Sequence, residues 1–225
     1  MLIPFKDDNP ARITPYVTYT LLGLNILVYL FQIMVQFSGG MQAYQYFVYQ
    51  YGLVPARLFE GSLTGTIAPF FTSIFMHGGL MHIGGNMLYL WIFADNIESE
   101  LGHFPFLLFY LLCGIGASVT QVAIDFSSTT PIIGASGAIS GVLGAYYLRF
   151  PQARVAVFVF FFLITMFWIP AKIVLGFWFF IQIFQGLASV GVGGGGVAWF
   201  AHIGGFVAGI VFFNLIYGLK YGFSD

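Results

Sequence analysis

Apolar segments of membrane-spanning length recur along this chain. They cover Tyr16 to Gln36, Phe104 to Ile124 and Val197 to Tyr217, and about 20 apolar residues are what a helix needs to cross the ~30 Å hydrocarbon core of a bilayer. Hydrophobic residues make up 59% of the 225 residues and charged residues 7%, which does not suit a water-soluble domain with a polar shell. The sequence therefore predicts an all-α, polytopic membrane protein.

Charge and cysteine content exclude several other classes. The net charge is -1 and the chain has no basic run, which argues against a nucleic-acid partner. The single cysteine, Cys113, excludes an internal disulfide. Met1 to Asn9 lacks the features of a secretory signal and is predicted to be a short soluble tail.

Six spans are predicted, in one domain that covers residues 1–225. Their approximate bounds are 16–36, 74–94, 104–124, 136–150, 171–188 and 198–217. The long apolar stretch from Val155 to Leu187, interrupted by Pro170, allows two interpretations: two tightly joined spans, or an interfacial or re-entrant segment over 155–169 followed by one span. We favour the second, because one more crossing would put His202 on the opposite side of the membrane from Ser136.

The basic residues orient these spans. Cytoplasmic loops are enriched in Lys and Arg, and with both termini inside, most such residues fall inside: Lys6, Arg12, Arg149, Arg154 and Lys220. We therefore expect a multi-pass protein of the cell (inner or cytoplasmic) membrane with cytoplasmic N- and C-termini. The aromatic-rich stretch from Ser38 to Ala68 is then a first external loop at the membrane interface, which either fills space between helices or admits a substrate.

The fourth span is short and begins with a polar residue. Gly134 to Gly141 contains Ser136, and Pro151 ends the helix because proline lacks a backbone N–H and disfavours helical geometry in the residue before it. About 15 residues at ~1.5 Å each cover only ~22 Å. If Arg149 and Arg154 mark one membrane surface, Ser136 lies below the other surface, where a polar residue suggests function.

Further polar residues lie in two other spans. His82 and Asn86 are four residues apart, on one face of a helix, and His77 precedes them by little more than one turn. A lone histidine here is more often structural, but two histidines and an asparagine together favour a site. In the last span, His202 begins a stripe of small residues that matches the stripe after Ser136, and such stripes mark close helix contacts in membranes.

A serine beside a histidine indicates nucleophilic catalysis. Histidine removes the proton from the hydroxyl, and the oxyanion that follows needs fixed donors, here His82, Asn86 and the backbone N–H of Ser136. The carboxylates lie in tails, loops or span ends, which leaves a Ser-His dyad. The alternative is that Ser136 only packs and His202 is a structural hydrogen-bonding residue. No zinc or nucleotide signature is present, so we expect no metal and no cofactor.

Together, these motifs resemble the rhomboid family of intramembrane serine proteases, over nearly the whole chain. The motifs are Gly134-Ala135-Ser136-Gly137, His77-x4-His82-x3-Asn86 and Ala201-His202-x2-Gly205-x3-Gly209. The resemblance implies that Ser136 is the nucleophile and His202 the general base, and that His82, Asn86 and the Ser136 amide form the oxyanion hole. It also implies supporting roles beside the site for His77, Gly134, Gly137, Gly205 and Gly209.

Family membership further implies a six-helix bundle in a lipid bilayer, a membrane-embedded first external loop, and single-pass transmembrane proteins as substrates. One departure is Ala56-Arg57, where family loops often carry Trp-Arg. Two other functions remain open: a catalytically silent relative that binds transmembrane helices, and a channel or small-molecule transporter. The channel or transporter is disfavoured because the two halves of the chain show no corresponding broken helices.

Overall fold

The structure, a computed structural model, describes residues 2–58, 63–160, 164–190 and 196–222. The helices within these ranges are α1 Tyr16–Tyr51, α2 Leu63–Thr72, α3 Leu80–Leu101, α4 His103–Ile124, α5 Ser136–Arg149, α6 Ala171–Ser189 and α7 Trp199–Tyr221. Short 3₁₀ turns cover Pro55–Arg57 and Ser73–Phe75. The strands β1 Leu2–Asp7, β2 Arg154–Phe160 and β3 Ile164–Pro170 form an antiparallel sheet in the order β1-β2-β3.

Four of the described helices, α1, α4, α6 and α7, are long and apolar enough to cross a membrane. In the most apolar 18-residue stretch of each of these helices, only 17% to 33% of the residues are buried inside the protein. The rest form apolar surface that lipid must cover. The chain is therefore an integral membrane protein. α5 has 14 residues and is too short for this set, and α3 is less apolar because polar side chains occur along its length.

The short helix α5 lies at the centre of the bundle. It packs extensively against α4 and α7 and also contacts α3 and α6. Every residue from Gly137 to Tyr146 is buried, which explains why this helix has no polar face and consists mainly of small and apolar residues.

Glycines let the backbones of α5 and α7 touch. A Cβ added at Gly205 would overlap the carbonyl oxygen of Gly137, and one at Gly209 would overlap that of Gly141. Small residues permit such close approach of membrane helices, where dispersion contacts rather than the hydrophobic effect drive packing. The contact sets the depth of the first turn of α7 relative to the first turn of α5.

A buried carboxylate joins α3 to the start of α1. Glu98 is fully buried and accepts hydrogen bonds from the backbone N–H groups of Val17 and Thr18, at 2.9 and 2.8 Å, and from the Thr18 hydroxyl at 2.7 Å. The first N–H groups of a helix have no partner within it, and negative charge near them is stabilising. Glu98 therefore fixes the N-terminal end of α1 against the C-terminal turn of α3.

The expectation of an all-α protein is wrong for two segments. Within 155–169, expected to be interfacial or re-entrant, residues 155–160 lie in β2 and residues 164–169 in β3. β1 pairs with β2, so most of the tail from Met1 to Asn9 is part of a sheet. β-Branched residues suit a half-buried sheet, and Val155 and Val157 pack into the core. Residues 161–163 lie outside the described residues. α6 follows the hairpin directly as one helix.

Two helix bounds also differ from the prediction. The stretch 38–68 is not a single loop, because helix continues to Tyr51 after a break at Gly40, where φ is 73°. The predicted span 74–94 is observed as α3, which begins after the extended Gly79 and ends at Gly102, where φ is 85°. Residues 59–62 and 191–195 lie outside the described residues.

Gly209→Ala should lower the stability of the protein. The new methyl group would overlap the carbonyl oxygen of Gly141 and push α5 and α7 apart, and overpacking of this kind costs about 1–3 kcal/mol. We expect the midpoint of thermal unfolding in detergent to fall by several degrees. Gly23→Ala is the matched control, because a Cβ there meets no atom within 4 Å. An equal fall in both variants would contradict the packing described here.

Asp7 should make stability depend on pH. Burial raises the pKa of Asp7 to about 6, although the hydrogen bond from the Tyr146 hydroxyl lowers it. The folded protein then binds the proton of Asp7 more tightly than the unfolded chain does. Protonation of Asp7 therefore adds to the free energy of unfolding below pH ~4, and this contribution is lost as the pH rises through ~6. Thermal unfolding from pH 4 to 7 should show this fall in wild type, and it should be smaller in Asp7→Asn. Asp8→Asn should retain it, since the hydrogen bond from Arg154 lowers the pKa of Asp8.

Candidate active site

A cavity of about 830 Å³ lies among the N-terminal halves of α3, α5 and α7. Ser136, His202, His82 and Asn86 all line it, so the structure brings together four of the residues that the sequence singled out. α6, the C-terminal end of α4 and residues of the segment 128–133 also line it. A concave site with a few convergent polar groups in an apolar surround is typical of ligand-binding and catalytic pockets.

The side chains of Ser136 and His202 are hydrogen-bonded to each other. His202 Nε2 lies 2.8 Å from Ser136 Oγ. Ser136 is the first residue of α5, and His202 is in the first turn of α7, so the glycine contact between these helices places both at the same depth. The Gln121 side chain of α4 accepts a hydrogen bond from the backbone N–H of Ala201 at 3.1 Å, which anchors the start of α7.

His82 directs one ring nitrogen toward Ser136. The backbone N–H of Gly78 donates to His82 Nδ1 at 3.2 Å, so in the neutral ring the proton is on Nε2. A Cβ built on Gly134 would lie 2.7 Å from His82 Nε2 and 3.6 Å from Ser136 Oγ. His82 Nε2 and Ser136 Oγ are therefore both close to Gly134. At Gly134 φ is 128°, a conformation that side-chain-bearing residues rarely adopt.

Two further donor groups belong to Asn86 and Ser136, which both line the cavity. Asn86 is 8% exposed, and its buried Nδ2 has no hydrogen-bond partner within the described chain. The N–H of Ser136, as the first residue of α5, has no acceptor within its own helix. N–H groups of this kind, together with His82 Nε2, are the type of donor that stabilises a developing oxyanion.

His77 does not line the cavity but lies behind His82. Its ring packs edge-on against the His82 ring, with 5.1 Å between centroids. Its backbone is held by Gln32 of α1, which donates to the His77 carbonyl at 3.1 Å and accepts from the His77 N–H at 2.9 Å. His77 is therefore placed to support the ring of His82 rather than to contact a bound molecule.

A contact that the sequence analysis missed involves Gln182 of α6. Gln182 Oε1 lies 2.7 Å from His202 Nδ1, the ring nitrogen that faces away from Ser136. A polar amide in an otherwise apolar span was the available signal, because intramembrane polar residues are costly and tend to be functional. Nothing in the sequence indicated that this face of α6 would meet α7 at His202.

The cavity carries little charge. Among its described lining residues only Asp125, at the end of α4, carries a formal charge if histidines are neutral. The indole rings of Trp178 and Trp199 pack 6.0 and 6.1 Å from the His202 ring, between centroids. The part of the chain that the structure describes holds no group of three His, Cys, Asp or Glu that could bind a metal ion.

Comparison with known families identifies the fold and its relatives. The family model of the Rhomboid domain matches residues 64–218, which is more than half of the chain and includes Ser136, His202, His82, Asn86 and Gln182. The chain belongs to the rhomboid family. The resemblance that the motifs indicated is thereby confirmed, and the rhomboid domain contains α3 to α7 with both strands of the hairpin.

Several rhomboid proteins are similar to this chain. Rhomboid protein 1, mitochondrial, of Saccharomyces cerevisiae is 28% identical over 200 residues, covering 86% of this chain and 51% of the relative. Rhomboid protease AarA of Providencia stuartii is 30% identical over 158 residues, covering 63% and 54%. Presenilin-associated rhomboid-like protein, mitochondrial, of Homo sapiens is 34% identical over 92 residues, covering 40% and 24%. The chain thus spans about half the length of the first two relatives, and the match covers less of the third.

Gly134→Ala should disturb the site more than the fold. The new Cβ would crowd His82 Nε2 and would occupy a backbone conformation that disfavours alanine. We expect a fluorophosphonate probe to label Ser136 at least about 10-fold more slowly, because a misplaced donor weakens binding of the charged oxygen. Gly84→Ala, where a Cβ meets no atom within 4 Å, is the control. Labelling of Gly134→Ala at the wild-type rate would contradict this geometry.

Proposed function

We propose that this protein is an intramembrane serine endopeptidase that uses Ser136 and His202 as a catalytic dyad to cut membrane-protein substrates. The observation that carries the proposal is the 2.8 Å contact between Ser136 Oγ and His202 Nε2 on the wall of a cavity inside an integral membrane protein. Similarity to Rhomboid protease AarA supports the same chemistry.

The reaction follows from the positions of the polar groups. His202 Nε2 takes the proton from Ser136 Oγ as the oxygen attacks the carbonyl carbon of the substrate peptide bond. The carbonyl oxygen becomes an oxyanion and accepts hydrogen bonds from His82, Asn86 and the Ser136 backbone. His202 then donates its proton to the leaving amine, the C–N bond breaks, and water hydrolyses the acyl-enzyme through the same base.

The substrate class follows from where the cavity lies. A peptide bond in an intact helix is shielded by its own hydrogen bonds and side chains, so a substrate span must unwind before Ser136 can reach it. We therefore expect single-pass transmembrane proteins as substrates, cut near helix-destabilising Gly or Pro residues. Water must enter through the polar mouth of the cavity, because polar groups that face lipid without partners are costly.

The proposed topology has six crossings, by α1, α3, α4, α5, α6 and α7. It puts Arg149 and Arg154 with the sheet on the inner side and the mouth of the cavity on the outer side, with both termini inside. α5 need not match the full bilayer thickness, because other helices surround it. The proposed location is the inner or cytoplasmic membrane of the cell, whereas the names of the yeast and human relatives place those proteins in mitochondria.

Ser136→Ala and His202→Ala should each abolish cleavage of a model transmembrane substrate in liposomes. Removal of one member of a catalytic unit lowers turnover by on the order of 10³-fold or more, whereas Ser118→Ala, a buried serine of α4 outside the cavity lining, should cleave at the wild-type rate. Peptide mapping should find the fluorophosphonate on Ser136 in wild type and no label in His202→Ala.

The outcomes separate protease from helix-binding protein. A folded wild-type protein that neither reacts nor cleaves, and whose substrate capture is unchanged by Ser136→Ala, would contradict the protease and favour a catalytically silent rhomboid. Labelling that persists in His202→Ala would contradict the assignment of the base.

A further inference from the structure

Gln182 holds the ring nitrogen of His202 that the dyad does not use. Its Oε1 lies 2.7 Å from His202 Nδ1, and the residue is 5% exposed. The contact connects α6 to α7 at the centre of the bundle. A polar side chain buried this deeply in a membrane protein is costly unless its hydrogen bonds are made, and Gln182 makes one at each end of its amide.

The second hydrogen bond of Gln182 determines which way the amide points. Gln182 Nε2 donates to the backbone carbonyl of Trp178 at 3.2 Å. A carbonyl oxygen can only accept, so the amide nitrogen must face Trp178 and the amide oxygen must face His202. The oxygen in turn can only accept, so the proton of the neutral imidazole must lie on Nδ1.

The hydrogen bond between His202 and Ser136 then has only one possible direction. With the proton on Nδ1, the Nε2 of His202 carries a lone pair and can only accept, so the hydrogen bond at 2.8 Å runs from the Ser136 hydroxyl to the ring. A fixed main-chain carbonyl in α6 thus sets the direction of every hydrogen bond up to the nucleophile. In the opposite tautomer, Nε2–H would face the hydroxyl and the ring could not act as a base.

We propose that Gln182 is a positioning residue that holds His202 in the Nδ1–H tautomer with its basic nitrogen toward Ser136. This inference rests on the proposed function, since it assigns a role within that site. Water-soluble hydrolases with a Ser-His-Asp triad have a carboxylate at this point. A buried carboxylate beside a neutral imidazole would be an uncompensated charge inside the membrane, whereas an amide gives the same orientation without charge.

Two substitutions separate orientation from packing. Gln182→Met keeps an unbranched side chain of similar length but removes the acceptor, and Gln182→Glu keeps the acceptor and adds a charge. Gln185→Met is the matched control, because Gln185 is exposed on the same helix. The readouts are the rate of fluorophosphonate labelling of Ser136, kcat and KM for a model transmembrane substrate, and the pH dependence of kcat/KM.

We expect Gln182→Met to lower the labelling rate and kcat by about 10- to 100-fold with KM nearly unchanged. This is a part of the roughly 10²- to 10⁴-fold that a general base contributes, because His202 remains but its ring is no longer held. Gln182→Glu should keep most of the labelling at high pH. As the pH falls, however, its activity should be lost at a higher pH than that of wild type, because a carboxylate favours the imidazolium form of His202. The other titratable side chains that line the cavity are His82 and Tyr89 of α3 and Asp125 after α4, and they are the same in all variants.

Gln182→Met labelled at the wild-type rate with a wild-type pH profile would overturn the inference. If Gln182→Met does not fold, Gln182→Glu decides, and an unshifted pH profile in that variant would overturn it as well. If the wild-type protein is neither labelled nor able to cleave, the proposed function itself fails. That result differs from an active wild type in which substitution of Gln182 has no effect.

Discussion

Backbone contact between α5 and α7 is the constraint on which the rest of the structure depends. Gly205 and Gly209 leave room for the carbonyl oxygens of Gly137 and Gly141, so the two helices cannot slide or separate without losing tightly packed surface. Ser136 directly precedes Gly137, and His202 lies about one turn before Gly205. The register of the two helices therefore also sets the distance between the Ser136 and His202 side chains. A short α5 is tolerated because α3, α4, α6 and α7 pack around it.

The site is organised by hydrogen-bond direction rather than by charge. A backbone N–H at Gly78 makes Nδ1 of His82 an acceptor, and the Gln182 amide makes Nδ1 of His202 a donor. The two neutral rings therefore present opposite functions to Ser136: His82 presents an N–H, and His202 presents a lone pair. Ionised groups could impose the same orientations, but in an apolar interior each would need a partner of opposite charge. Fixed main-chain groups avoid that cost.

The sequence predicted the residues around the cavity because glycine spacing, span length and intramembrane polar residues follow strong local rules. It missed Gln182 because α6 is apolar on nearly every face, so the sequence does not show which side meets α7. It missed the sheet for a related reason: in the run after Arg154 nearly every residue is apolar, and neither a period of 2 nor one of 3.6 can be seen. β1 pairs with a strand about 150 residues away, a contact that no local pattern reports.

The most direct test of the account is a structure of the protein after reaction with a fluorophosphonate. We expect a covalent bond between phosphorus and Ser136 Oγ, with the phosphoryl oxygen within hydrogen-bond distance of His82 Nε2, Asn86 Nδ2 and the Ser136 N–H, and with His202 Nδ1 still hydrogen-bonded to Gln182. An adduct on a different residue, or a phosphoryl oxygen that points away from these donors, would contradict it.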